Sequence, residues 1–142
     1  MRIDWRLIAA VAVGGALGSV VRYLVGAFIQ GRVATPFPVG TFAVNISGSL
    51  LLGFLMRLGL ETTALGPEMR FFLTTGFCGG YTTFSTFSYE TFRLFEDGEY
   101  GTAGFYVASS VVLALLGCAI GMSVAGRVIS IGRAGLSGGI DT

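Results

Sequence analysis

The sequence predicts an all-α membrane protein of four transmembrane helices, the third broken at mid-membrane. Three observations carry that class. Of the 142 residues, 53% are hydrophobic and only 12% charged, against about 25% charged in an average soluble domain. The charges are also confined: none falls within 7–21, 33–56, 71–89 or 100–126, and a bilayer core needs about 20 apolar residues per helix. The third of these stretches, finally, carries a cluster of glycines and hydroxyl residues that is poor material for a continuous helix.

The first span is placed at 5–29. Arg22 interrupts its uncharged run, which resumes from Tyr23 to Gly31, so it is too long for a signal-peptide core of about 7–15 residues. The second, 37–58, opens behind Pro36 and Pro38, which suit an extended approach and a first helical turn. It ends near Arg57 and Gly59. The third, 69–95, is flanked by Glu68 and Arg70 on one side and Glu96-Asp97-Gly98-Glu99 on the other. The fourth covers 101–126. The connections 30–35, 58–68 and 96–100 are short, so consecutive helices are expected to be antiparallel neighbours. Residues 1–127 then form one four-span domain, and the Gly/Ser-rich stretch 128–142 is expected to be a disordered tail.

Several functions are excluded on the same grounds. Four helices of about 23 residues occupy roughly 92 positions, leaving little for a soluble catalytic domain. The chain has no histidine, so the commonest general base and neutral metal ligand are missing. Cys78 and Cys118 lie far apart inside apolar spans and match neither a disulfide framework nor a metal spacing. A net charge of +1 without a basic run gives no purchase for nucleic acid. An enzyme is not expected; the expected surroundings are a lipid bilayer.

No internal repeat is visible. Many coupled carriers enclose their site between inverted repeats, which two copies of this chain would reproduce if they met in opposite orientations. The arginines speak for one orientation, however. Arg2, Arg6, Arg57, Arg70, Arg127 and Arg133 fall on the side of the N-terminus. Arg32 and Arg93 fall on the other, joined by Arg22 if it snorkels that way. That bias favours a cytoplasmic N-terminus.

Polar residues inside the spans carry the chemistry, because each needs a partner or a wet path. Thr41 and Asn45, four apart, share a face of span two. Asn45 fits either a hydrogen bond between helices or a polar lining. Span three contains G-F-C-G-G-Y-T-T-F-S-T-F from Gly76 to Phe87, followed by Ser88, Tyr89 and Glu90. It fits either a glycine-rich packed helix or a break. A break at membrane depth aims half-helix termini inward, and irregular backbone there must face protein, water or an ion. The donors nearby are Thr82, Thr83, Ser85, Thr86, Ser88 and Asn45, and Arg22 is the one cation well inside a span. Phe84 and Phe87 can lie on one face, and aromatic ring edges are positive. Hydroxyl and amide donors with ring edges suit a small anion; a cation path would show acidic rings.

The run from Gly76 to Phe87 resembles the signature of the small bacterial fluoride channels, the Fluc or CrcB family. G-G-A-L-G-S-V-V-R-Y from Gly14 to Tyr23 and G-T-F-A-V-N-I-S-G from Gly40 to Gly48 agree with it, as does the four-span length. The resemblance covers nearly the whole chain apart from the tail. It implies a passive fluoride exporter of the bacterial inner membrane, built as an antiparallel, dual-topology homodimer with two pores. By motif position, Asn45 resembles the pore-facing asparagine, and Phe84 and Phe87 the phenylalanines whose edges face the ion. Gly79 and Thr82 match the break whose backbone carbonyls, from both subunits, hold a structural Na⁺. Ser85, Thr86 and Glu90 match polar positions along the path, with Thr41 on the facing span. Tyr106 and Ser110 resemble the pore-lining tyrosine and serine of span four, with Ser109 the alternative match because that span has no sharp motif. Arg22 resembles the vestibule arginine. The arginine bias departs from the family, whose members insert both ways with little charge asymmetry.

The principal rival is a small proton-coupled multidrug exporter of four-helix type. That class needs a membrane-embedded carboxylate. Span one has none between Leu7 and Gly31, and Glu90 lies near the end of span three. A non-transporting membrane assembly subunit is a third reading; it leaves the glycine cluster and the donor track without a purpose.

Overall fold

A computed structural model describes residues 4–137, all helices and connections. Arg2, one of the arginines in the orientation count, lies outside the described residues. Helix α1 spans Trp5–Gln30, and its first turn is capped by the Asp4 carboxylate, which accepts from the Arg6 N–H at 2.9 Å. Helix α2 spans Val39–Glu61, starting directly behind Pro38. The Gln30 amide secures the connection between them: Nε2 donates to the Phe37 carbonyl at 3.4 Å and Oε1 accepts from the Gly40 N–H at 3.1 Å.

The predicted third span is divided. Helix α3, Pro67–Phe71, begins with a proline in its first turn, where no N–H is needed. It passes into a π-helical stretch, Phe72–Cys78, and then into α4, Gly79–Tyr81. Thr82 (φ −83°, ψ 158°) and Thr83 (φ −151°, ψ 118°) are extended, and α5 covers Phe84–Glu96. Gly98, at φ 78°, makes the turn into α6, which covers Tyr100–Ser137. Among the described residues, three helices are long and apolar enough to cross a membrane: Trp5–Gln30, Val39–Glu61 and Tyr100–Arg133.

The last helix runs on into the stretch expected as a tail. It continues past 126 to Ser137, because Arg127 to Ile131 contains no helix breaker and its apolar side packs. Ile129 is buried, and Arg133 Nη2 donates to the Glu61 carbonyl at 3.2 Å, tying the extension to the end of α2. At 1.5 Å per residue α6 is about 57 Å long, well beyond a hydrocarbon core of about 30 Å. Residues 138–142 lie outside the described part.

Helix α2 packs along α6, α1 along the π-helical stretch and α4, and α5 against α6. Glycine permits the closest of these approaches. A Cβ at Gly18 would strike the Phe77 carbonyl, and one at Gly121 the Leu50 carbonyl. The buried core of Phe87, Leu94, Ala103 and Tyr106 is walled by Phe37, Phe42 and Val107. Phe37 meets Phe42 and Tyr106 edge-on, at centroid distances of 5.2 Å each, the arrangement that ring quadrupoles favour. Elsewhere large apolar side chains are exposed on every long helix, among them Val20, Leu24, Leu50, Phe105, Leu115 and Ile120. A single chain therefore leaves far more apolar surface uncovered than a soluble monomer does.

Candidate functional site

The site is built on the two extended residues. In a continuing helix the Thr83 N–H would bond the Gly79 carbonyl and the Phe84 N–H the Gly80 carbonyl. Instead the Thr83 N–H donates to Asn45 Oδ1 at 2.8 Å, and Asn45 Nδ2 donates to the Thr83 carbonyl at 3.1 Å. The side-chain amide of Asn45 thus pairs with the main chain of Thr83 as a neighbouring strand would. On the other flank the Gly80 carbonyl accepts from Arg22 Nε at 3.1 Å and from Ser19 Oγ at 3.4 Å. Thr83 also caps α5: its hydroxyl accepts from the Thr86 N–H at 3.2 Å and donates to Thr86 Oγ1 at 3.1 Å.

Two cavities meet at Thr83. The larger, about 470 Å³, is lined by Arg22, Gln30, Thr41, Thr83, Thr86 and Glu90 among others. The smaller is an open groove of about 240 Å³ lined by Asn45, Ser49, Thr82, Thr83, Phe84, Phe87 and Ser110. Thr41 and Asn45, four apart on α2, therefore open into different cavities. In the larger one the Glu90 carboxylate is held at both oxygens: Thr41 Oγ1 donates to Oε1 at 2.7 Å and the Tyr106 hydroxyl to Oε2 at 2.8 Å.

The groove is lined by two aromatic rings and a hydroxyl without a partner among the described residues. The Phe84 and Phe87 rings are 5.6 Å apart and tilted by 41°. Their surroundings differ sharply: Phe87 is 9% exposed, against Tyr106 at 5.1 Å, whereas Phe84 is 80% exposed. Ser110 is buried, and its Oγ has no hydrogen-bond partner among the described residues. A buried hydroxyl left unpaired is costly, so this one is available to whatever occupies the groove.

Not every expected residue reaches a cavity. Tyr106 is fully buried behind Glu90 and lines neither. Ser85 is exposed, its Oγ 3.2 Å from Thr83 Oγ1. Of the two serines left open in span four, Ser110 faces the groove, while Ser109 Oγ donates to the Phe105 carbonyl at 2.6 Å. Sequence reasoning places Thr83 only among the nearby donors, without a pore or cation-holding role of its own. Its position directly before the first residue of α5 is the N-cap signal that could have found it.

Among the described residues no group of His, Cys, Asp or Glu could hold a metal ion. The main chain offers oxygen instead. Because Asn45 takes the Thr83 N–H, the Gly79 carbonyl lacks its helical donor, and the extended conformation of Thr82 carries its carbonyl out of the helix. A Cβ at Gly79 would meet nothing nearer than the Thr74 carbonyl oxygen at 4.0 Å, so its outer face is uncovered by its own chain. Two carbonyls fit a hard cation but make only part of a coordination shell.

Comparison with known proteins agrees with this architecture. The family profile described as "CrcB-like protein, Camphor Resistance (CrcB)" matches residues 9–122. A protein of Geobacter sulfurreducens named fluoride-specific ion channel FluC is 49% identical over 118 residues, covering 83% of this chain and 95% of its own. One of Nitrobacter winogradskyi with the same name is 48% identical over 127 residues, covering 89% and 100%. Another, of Chlorobaculum tepidum, is 55% identical over 101 residues, covering 71% and 79%. With the profile spanning all but the ends and relatives about half identical along most of the chain, the chain belongs to the CrcB family.

Proposed function

We propose that the chain forms a fluoride-selective channel of the bacterial inner membrane, giving passive, potential-driven export that protects against fluoride toxicity. The observation that carries this reading is the groove at Ser110. There a buried, unpartnered hydroxyl, the Asn45 amide and two aromatic rings line one path. Fluoride is strongly hydrated, so passage requires donors that replace water without trapping the ion. The names of the relatives support the same substrate. A negative-inside potential drives the anion outward at about 2.3 kcal/mol per 100 mV, and no energy-coupling domain is needed.

The working unit in this reading is an antiparallel homodimer with dual topology. Phe84, 80% exposed in one chain, is an aromatic side chain with no cover of its own, and the open face at Gly79 has none either. A second copy would cover both. The interruption at Thr82 and Thr83 then lies at mid-membrane, where irregular backbone must be sheltered by protein. A structural Na⁺ would be held there by the Gly79 and Thr82 carbonyls of both copies, relieving otherwise unpaired carbonyl dipoles.

The multidrug-exporter reading is disfavoured by Glu90. An exchanging carboxylate must be free to meet protons and cationic drugs, whereas both Glu90 oxygens accept from hydroxyls. The test is flux through purified protein in liposomes loaded with fluoride, read by a fluoride electrode. Fluoride should leave when a potassium diffusion potential is imposed at equal pH on both sides. Flux appearing only with a pH gradient would support the exporter.

A further inference from the structure

Arg22, on α1, bonds the main chain of the interrupted segment. Its Nε bonds the Gly80 carbonyl at 3.1 Å, and Ser19, one turn earlier on α1, bonds the same oxygen. Gly80 is seated directly on α1, since a Cβ there would strike the Gly15 carbonyl. Gly80 follows Gly79 and lies two residues before Thr82, so the carbonyl that Arg22 grips lies between the two proposed to hold a cation. The carbonyl end of a helix carries partial negative charge and is stabilised by a cation or donor. Arg22 also lines the larger cavity together with Thr41, Thr83, Thr86 and Glu90. Its Nε is spent on the main chain.

We infer that Arg22 is a positioning residue: by bonding the Gly80 carbonyl it fixes the end of α4, and with it the orientation of the Gly79 and Thr82 carbonyls and the course of Thr83. Asn45 holds the interruption from α2, and Arg22 holds it from α1. The consequence for transport is indirect. Loosening the Gly80 carbonyl lets the α4 end rewind or fray, which misplaces the donors that follow it. This inference rests on the channel reading above, and the experiment separates the two.

Geometry provides a clean discriminator. Glutamine Nε2 and arginine Nε are both attached to Cδ, so Arg22→Gln keeps an N–H at the same reach while removing the charge. Arg22→Lys keeps the charge but places its nitrogen one bond farther out. Arg22→Met removes both. Fluoride efflux is measured for all four proteins in liposomes, across a range of Na⁺ concentrations balanced with a bulky organic cation, after size-exclusion chromatography has checked their assembly. Wild-type efflux is also measured against ionic strength. Arg22→Gln should stay close to wild type, and Arg22→Met should fall about tenfold, the factor that goes with losing one buried hydrogen bond. Arg22→Met should also need more Na⁺. Wild-type efflux should be insensitive to ionic strength, since the role assigned to Arg22 is a hydrogen bond and not long-range attraction of anions, which salt would screen. Arg22→Lys matching wild type while Arg22→Gln falls with Arg22→Met would overturn the inference in favour of anion attraction, as would wild-type efflux that declines steeply with salt. Equal efflux from all variants would overturn it too. Absence of fluoride efflux from the wild type would instead reject the channel reading. If Arg22→Met does not assemble, the Gln–Lys comparison and the salt dependence still decide.

Discussion

Phe84 and Phe87 are three residues apart and share one groove, yet they answer to different forces. Phe87 is packed on Tyr106 inside its own chain, so Phe87→Ile should cost about 1 kcal/mol of stability through the lost ring pairing. Phe84 is exposed in the single chain, so Phe84→Ile should leave the chain's own packing intact. Both should slow fluoride flux strongly, because the positive ring edge goes while apolar volume largely stays. Thermal unfolding in detergent alongside electrode-detected efflux separates the two effects; full flux in both variants would contradict the groove assignment. Ser110→Ala should behave oppositely to an ordinary polar deletion. No bond is lost, so stability should hold or rise, while efflux should fall. Asn45→Asp replaces the donor facing the Thr83 carbonyl by an acceptor when ionised, and it should impair both stability and efflux. Unchanged efflux with lowered stability would reduce Asn45 to a clamp on the main chain.

At the scale of elements, the interruption between α4 and α5 is the piece on which the rest depends. Thr83 caps α5, so Thr83→Ala should cost about 1 kcal/mol and reduce efflux, with Thr83→Ser restoring both. Much of this layout was legible in the sequence. Charges bound the apolar runs, so α1 and the start of α2 were readable, whereas α6 runs to Ser137, well past the expected end at 126; the Gly76–Phe87 run was readable as poor helix material. What was not legible has a common cause: it depends on partners distant along the chain. Nothing local says that the Asn45 amide would pair with Thr83, that Arg22 would reach Gly80, or that Ile129 and Arg133 would extend α6 along the end of α2. Equally, periodicity put Thr41 and Asn45 on one face, but only the packing of α5 divides that face between two cavities.

For the whole molecule the decisive feature is incompleteness. One chain leaves Phe84, the outer face of Gly79 and most apolar helix surface uncovered, which a bilayer and a second copy would cover. The arginines complicate the orientation of that copy, but several are already committed within the chain. Arg57 pairs with Glu61 and bonds the Met122 carbonyl, and Arg70 bonds the Gly59 carbonyl. An antiparallel dimer predicts that one residue is reachable from both sides. With Cys78→Ala and Cys118→Ala as background, Asp97→Cys should react with an impermeant thiol reagent in about half the population before lysis and in the rest afterwards, if both orientations are equally populated. All-or-none labelling would contradict dual topology.

The central claim, a passive path selective for fluoride, is tested most directly by the reversal potential of current through purified protein in a planar bilayer. Chloride and pH are held equal across the membrane and fluoride is set at a tenfold gradient. The account predicts reversal near the fluoride equilibrium potential, about 59 mV for a tenfold gradient of a monovalent ion, unmoved when a pH difference is added. Reversal near zero, or reversal that follows the pH difference, would contradict it.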